Sequence, residues 1–234
     1  MRGGGSGSFF RLGRAAGTLL LALATLGPGA APVRAQDPAA WLAALEKRYA
    51  AVETATGEFQ QTYRAPGVDQ VESGVFWLKR PGLMRWEYRT PEEKLFVADG
   101  RESFLYVPSE RQVTVQPLTP EDFGGTPLGF LLGAKNLARG YEPSPDGGTP
   151  LLEGTVLLRL EPKHPESGYD YLVLEMDRAS CDIRRIVIRE HVGNTSEFLL
   201  SNVTTNVRVP AGRFRFTPPR GVEVLRLGDN DRRE

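Results

Sequence analysis

Residues 72–91 read ESGVFWLKRPGLMRWEYRTP, two apolar-aromatic runs joined by the basic turn Lys79-Arg80-Pro81-Gly82. Pro81 pre-sets φ for the second position of a β-turn, and Gly82 supplies the positive φ that a type II turn needs next, so the stretch predicts a hairpin. Side chains alternate along a strand, which puts Met84, Trp86 and Tyr88 on one face and Arg85 and Glu87 on the other. The first face is large and apolar; the second reads as a charged, solvated outside. Such an apolar face serves a packed core and a ligand wall alike, so the choice falls to the rest of the chain.

Before the hairpin, residues 37–51 predict an amphipathic helix. Asp37 is a candidate N-cap, Pro38 suits the first helical position, and Trp41, Leu42, Leu45, Tyr49 and Val52 recur three or four apart. From Gly57 the period changes to two, with strands expected at 59–63, 73–78, 83–88, 94–98, 103–107 and 112–116. The separators are turn-like: Ala65-Pro66-Gly67, Arg80-Pro81-Gly82, Asp99-Gly100 and Pro108-Ser109-Glu110. Connections this short favour antiparallel pairing, because a parallel crossover needs a dozen or more residues. Residues 120–137 interrupt the pattern with Phe123, Leu128, Phe130, Leu131, Leu132 and Leu137, and predict a short apolar helix with Gly129 and Gly133 inside it. Further strands are expected at 141, 155–161, 171–177, 183–190, 197–207 and 214–216.

The fold class expected is mainly β (α+β). About eleven antiparallel strands with two or three helices suggest a closed barrel or a sandwich, and the two apolar helices could alternatively plug an incompletely closed barrel over a cavity.

The first 35 residues read as an export signal rather than fold. Arg2, Arg11 and Arg14 precede an apolar run at 15–26, and Val33-Arg34-Ala35 ends in the small-x-small manner of a cleavage site. The run is shorter than the roughly 20 apolar residues of a membrane span. Gln36, not Cys, follows the expected cut, so the mature chain is expected to be soluble and without a lipid anchor. Taking Arg2, Arg11, Arg14 and Arg34 from the 29 basic residues leaves 25 against 29 acidic ones. A net charge of −4 speaks against nucleic acid, which needs clustered Lys and Arg. Cys181 is the only cysteine, which excludes an internal disulfide. The domain layout expected is a signal peptide at 1–35, a single domain at 36–228 and a polar tail at 229–234.

Several strings occur together in one order. These are Phe59-Gln60-Gln61; Gly74-Val75-Phe76-Trp77-Leu78-Lys79-Arg80-Pro81-Gly82-Leu83-Met84-Arg85-Trp86; Ala98-Asp99-Gly100 with Leu105-Tyr106-Val107-Pro108; Gln112-Val113; Thr126-Pro127 with Leu131-Leu132; Leu160-Glu161-Pro162-Lys163; and residues 214–222, FRFTPPRGV. Over most of the mature chain this series resembles the LolA family of periplasmic outer-membrane lipoprotein carriers. The resemblance implies an incomplete antiparallel barrel of about eleven strands, with about three short helices as a lid over a hydrophobic cavity that takes the acyl chains of a lipoprotein. It also implies loading by an inner-membrane ABC transporter of the LolCDE type, delivery to an outer-membrane LolB-like receptor, and no cofactor or covalent chemistry on the carrier. A monomer in the periplasm is expected.

The resemblance makes Arg80 a latch that hydrogen-bonds lid backbone in the closed form, and turns Met84 and Trp86 toward the cavity. Phe59, Trp77 and Tyr88 join them as expected cavity residues, with Tyr49, Val52, Phe130 and Leu131 as lid candidates. Met84 stands where the family more often has an aromatic or aliphatic residue, and its flexible thioether suits an adaptable wall.

Two other classes of function are open to the same half-barrel: a lipid-sensing domain of the RseB type, and an enzyme. Against an enzyme, His164 and His191 are the only histidines, and neither sits in a metal-ligand spacing or beside a G-x-S-x-G turn. No metal site is expected.

Overall fold

The structure, a computed structural model, describes residues 37–118, 137–164 and 168–227 of the chain. The expected signal peptide, the polar tail, and Phe130 and Leu131 with nearly all of the expected mid-chain helix lie outside the described residues.

Helix α1 (Pro38–Ala50) starts as its sequence dictates: Asp37 Oδ1 accepts from the Ala39 N–H at 3.0 Å, with Pro38 at the first helical position. Lys47 and Arg48 occupy the last turn, where they complement the negative end of the helix dipole. Trp41, Leu42, Leu45 and Tyr49 form its buried stripe.

Among the described residues, twelve strands follow in one sheet. They are β1 (Thr54–Ala65), β2 (Val68–Lys79), β3 (Leu83–Thr90), β4 (Lys94–Asp99), β5 (Glu102–Val107), β6 (Gln112–Pro117), β7 (Tyr141–Pro145), β8 (Thr155–Pro162), β9 (Tyr169–Asp177), β10 (Ile183–Glu190), β11 (Thr195–Thr205) and β12 (Glu223–Arg226). The spatial order is β12-β6-β5-β4-β3-β2-β1-β11-β10-β9-β8-β7, so the first six strands form one wing, β7 to β11 the other, and β1 and β11 meet in the middle. Neighbours are antiparallel except β12, which lies parallel to β6 at one edge; β7 forms the other edge. Leu158, Leu172 and Ile186 on one wing share a buried cluster with Phe76, Met84 and Trp86 on the other and with the stripe of α1. Strands so far apart in the order reach one cluster only because the sheet curls around the helix. The inner face is therefore the expected incomplete barrel.

Two details of the sequence reading change. Of the expected strand at 214–216, Phe214 instead ends a 3-10 turn, Ala211–Phe214, Arg215 and Phe216 follow outside any strand, and the twelfth strand lies further on. Phe214-Arg215-Phe216 alternates as a strand would, but Pro218 and Pro219 bring no N–H groups to extend a ladder. Phe214 is buried, and Phe216 packs at 5.7 Å from both Phe104 and Tyr106. The second change is in the opening hairpin, whose strands pair as expected. Its Arg80–Pro81 peptide is cis, with Gly82 at φ 67°, so the connection is not the trans type II turn.

The same packing alters the reading of the hairpin's charged face. Arg85 Nε donates to Glu87 Oε1 at 2.6 Å and Arg85 Nη1 to the carbonyl of Arg213 at 3.3 Å. The 3-10 turn thus covers this face, and the Arg85 and Glu87 side chains are only 20% and 28% exposed. Beneath the C-terminal segment lies a second cluster, Val97, Phe104, Val113 and Val115, with Phe216 and Val222 against it.

Candidate functional site

The hairpin register decides which side chains look inward. Phe76 pairs with Trp86 and Leu78 with Met84, so all four share the inner face, while Trp77 pairs with Arg85 on the outer one. Trp77, expected in the cavity, is thereby placed on the opposite face, with the Arg213 guanidinium 4.3 Å above its ring. Phe76 and Leu78, both 1% exposed, take the inward places instead.

Around Trp86 the inner face is a wall of rings. Phe59 meets it edge-on at 4.7 Å, Phe76 stacks at 5.0 Å, and Phe198 approaches edge-on at 6.0 Å, while Tyr88 meets Phe59 at 4.9 Å. Gly74 makes this wall possible. A Cβ there would lie 1.9 Å from the Glu87 carbonyl oxygen and 2.9 Å from the Phe59 ring, so only glycine lets β3 and that ring come so close. Tyr88 donates its hydroxyl to Gln61 Oε1 at 2.9 Å, and burial, with Glu72 adding to it, holds that hydroxyl well above the usual tyrosine range.

The opposite wing contributes aliphatic side chains, among them Leu158, Leu160, Leu172, Leu174 and Met176, each fully buried. Met84, Phe59 and Val52 belong to the same cluster. The buried stripe of α1 completes it, so the inner face is filled by the protein's own side chains.

The last turn of α1 is tied down from both wings. Arg80, carried on the β2–β3 turn, donates from Nη2 to the carbonyl of Tyr49 at 2.5 Å and from Nη1 to that of Ala50 at 3.3 Å. Both are carbonyls of the last helical turn, that of Tyr49 also accepting from the Val52 N–H at 3.1 Å, and a cation there meets the favourable end of the dipole. Arg80 N–H itself donates to the Glu53 carbonyl at 2.9 Å. From the other wing, the Ile183 N–H donates to the Tyr49 hydroxyl at 3.1 Å, and Arg48 Nε donates to Asp182 Oδ1 at 2.8 Å. Burial pushes the Tyr49 hydroxyl up to about 12. Asn206 closes the link after the helix, donating to the Ala51 carbonyl at 3.0 Å and accepting from the Glu53 N–H at 2.8 Å.

Of the expected site residues, Arg80, Tyr49, Val52, Phe59, Met84, Trp86 and Tyr88 come together around α1. Asp182 and Asn206 were not foreseen; they lie more than 130 residues from the helix in sequence, and no local pattern marks them. Among the described residues, no cluster of three or more His, Cys, Asp or Glu side chains is placed to hold a metal ion. What this arrangement offers is apolar surface on both walls and a helix over it, held by hydrogen bonds to backbone.

These features define a class: an unclosed β half-barrel whose apolar inner face is shut by an amphipathic helix. The family model described as "Outer membrane lipoprotein carrier protein LolA" matches residues 50–217, and the chain belongs to that family. It is 34% identical over 221 residues to the outer-membrane lipoprotein carrier protein of Bordetella pertussis, covering 92% of this chain and 98% of that one. The corresponding protein of Neisseria gonorrhoeae is 31% identical over 170 residues, covering 73% of this chain and 79% of that one. An uncharacterized conserved protein from Thermus thermophilus shares the fold. Its solved structure superposes with a TM-score of 0.51 at 14% identity, over 81% of this chain and 98% of that chain.

Proposed function

We propose that the protein is a periplasmic carrier that shelters the acyl chains of lipoproteins on the inner face of its half-barrel and hands them on. Residues 1–35 direct export and are removed, and residues 36–228 form one carrier domain. A LolCDE-type transporter in the inner membrane loads it, and a LolB-like receptor at the outer membrane unloads it. It acts as a monomer and performs no covalent chemistry.

The observation that carries this reading is the pair of hydrogen bonds from Arg80 to the carbonyls of Tyr49 and Ala50, which hold α1 over the apolar interior. Burying a methylene contributes about 0.8 kcal/mol, so a chain of about fifteen has a gross driving force on the order of 10 kcal/mol. A carrier that gained all of it would never release. Here the side chains of α1 fill the interior in the empty state, so cargo gains only the difference between its own burial and theirs. Arg80 sets that difference, since a hydrogen bond to a charged group is worth about 1.5–3 kcal/mol.

Tyr49, Val52, Phe59, Met84, Trp86 and Tyr88 exchange contacts with one another for contacts with the acyl chains, and Phe130 and Leu131 act with α1 as lid. The test is Arg80→Leu. The variant is expected to fold, load lipoprotein and keep it, so that purified variant carries cargo where wild type has released it to receptor. Unloading at the wild-type rate overturns the latch.

A further inference from the structure

Trp86 is 1% exposed, and among the described residues its indole Nε1–H has no hydrogen-bond partner. The ring stands on the inner face, between Phe59, Phe76 and Phe198, in the cluster that α1 covers. A buried indole N–H ordinarily finds an acceptor, because leaving a donor dry forfeits the water it had in the unfolded chain. Among the described residues, Arg80 Nε at the end of α1 is the one other buried side-chain donor without a partner, and the hydroxyls beside the ring wall have found theirs. The Tyr88 hydroxyl donates to Gln61 Oε1, and the Tyr141 and Tyr169 hydroxyls bond to each other. Of the ring wall's polar groups, Trp86 alone carries an unmet donor.

Hydrocarbon tails cannot satisfy it. The acyl groups of a lipid, however, each carry one carbonyl, a good acceptor that is itself costly to bury unpaired. We infer that Trp86 donates its indole N–H to an acyl carbonyl of bound lipid, so that the interior reads the ester or amide at the head of the chain as well as its apolar length. This deepens the carrier reading above and rests on it. It also fixes where along the chain the ligand sits: the linkage between acyl chain and headgroup lies level with Trp86, rather than outside the mouth of the half-barrel.

The discriminating probes share one chain length: a diacylglyceryl-cysteine lipopeptide, its diether analogue lacking both ester carbonyls, and a phosphatidylcholine with the same two acyl chains. Each is added to the ¹⁵N-labelled mature chain, following the Trp86 Nε1–H resonance and the methyl groups of Leu158 and Leu172. The expected result is that the diester lipopeptide moves the indole proton downfield and binds about two- to tenfold more tightly than the diether, the worth of one neutral hydrogen bond. In Trp86→Phe that ratio is expected to fall to near one, whatever happens to the absolute affinities. A shift with phosphatidylcholine as well supports the same hydrogen bond and assigns it to the diacylglycerol that both lipids share; a shift with the lipopeptide alone assigns it to lipoprotein cargo. Methyl shifts with an unmoved indole proton, and equal binding of diester and diether, overturn the inference and leave the acyl cavity standing. If no probe moves either set of resonances, the carrier reading falls with it.

Discussion

Strand β3 is covered on both faces, yet by different means. On the inner face Met84 and Trp86 lie under a helix held through its last carbonyls by Arg80 and through Tyr49 and Arg48 by the β10 side. On the outer face Arg85 and Glu87 lie under the 3-10 turn, whose Phe214 is buried and whose Arg213 covers Trp77. The inner cover is the apolar stripe Trp41, Leu42, Leu45 and Tyr49, anchored by a few directional bonds, and on the carrier reading an apolar ligand takes the place of that stripe. The outer cover is built from Phe214, which is fully buried, and Phe216, which packs against the Val97 cluster. On the carrier reading, one sheet thus separates a surface that opens to cargo from one that stays shut.

The difference between the two covers is largest at Phe214. Phe214→Ala is expected to cost about 3–5 kcal/mol of global stability, read from urea unfolding, because a fully buried ring leaves a cavity. If the loss were instead confined to the C-terminal segment, with the unfolding midpoint unchanged, the outer cover would not be part of the permanent core.

Arg80→Leu probes the opposite side. Removing the two bonds to α1 is expected to speed amide hydrogen exchange in residues 41–50 by about 10- to 100-fold, on the order of 1.5–3 kcal/mol. Exchange in β9 and β10 is expected to stay as in wild type. Equal acceleration throughout would mean that α1 opens only with the whole fold.

A smaller effect is expected from Trp77→Leu, about 0.5–2 kcal/mol for the lost stacking of Arg213 on the ring. Acyl-lipid binding, followed by titration with the diacylglyceryl-cysteine lipopeptide, is expected to be unaffected, since Trp77 lies on the outer face. Weakened binding would return it to the cavity wall.

The last effect appears only in acid. Burial pushes the Glu175 carboxyl up, but hydrogen bonds from the Leu152 N–H, the Thr155 hydroxyl and Arg185 outweigh it and hold it below the ordinary range. A carboxylate lowered on folding contributes stability above its unfolded pKa, and that contribution is lost as pH falls through the folded value. Glu175→Gln is therefore expected to flatten the acid limb of stability against pH, measured as urea midpoints from pH 7 downward. An unchanged limb would place the acid sensitivity elsewhere.

The strands, the first helix with its Asp37 cap, and the inward set Met84, Trp86 and Tyr88 were legible because period and capping are local properties. Trp77 was not, for a physical reason. Parity within β2 separates Phe76 and Leu78 from Trp77, but which set faces Met84 depends on the register set by the turn, and the turn departs from the type its Pro-Gly pair suggests. The C-terminal Phe-Arg-Phe misleads similarly: alternation describes side-chain spacing and says nothing of whether backbone partners exist. Arg80 could be singled out only through family resemblance, because its partners lie 30 and 31 residues away on another element.

An unclosed sheet leaves two edges, and an exported protein with bare edges risks stacking strand on strand with its own copies. At one edge, Pro143 and Pro145 leave β7 without an N–H at two of its five positions. At the other, β12 is four residues long, with charged Glu223 and Arg226 flanking the exposed Val224 and Leu225, too short to template a partner. The half-barrel can therefore forgo closure without inviting polymerisation, and a purified preparation should stay monodisperse at concentrations where an open sheet with plain edges would precipitate.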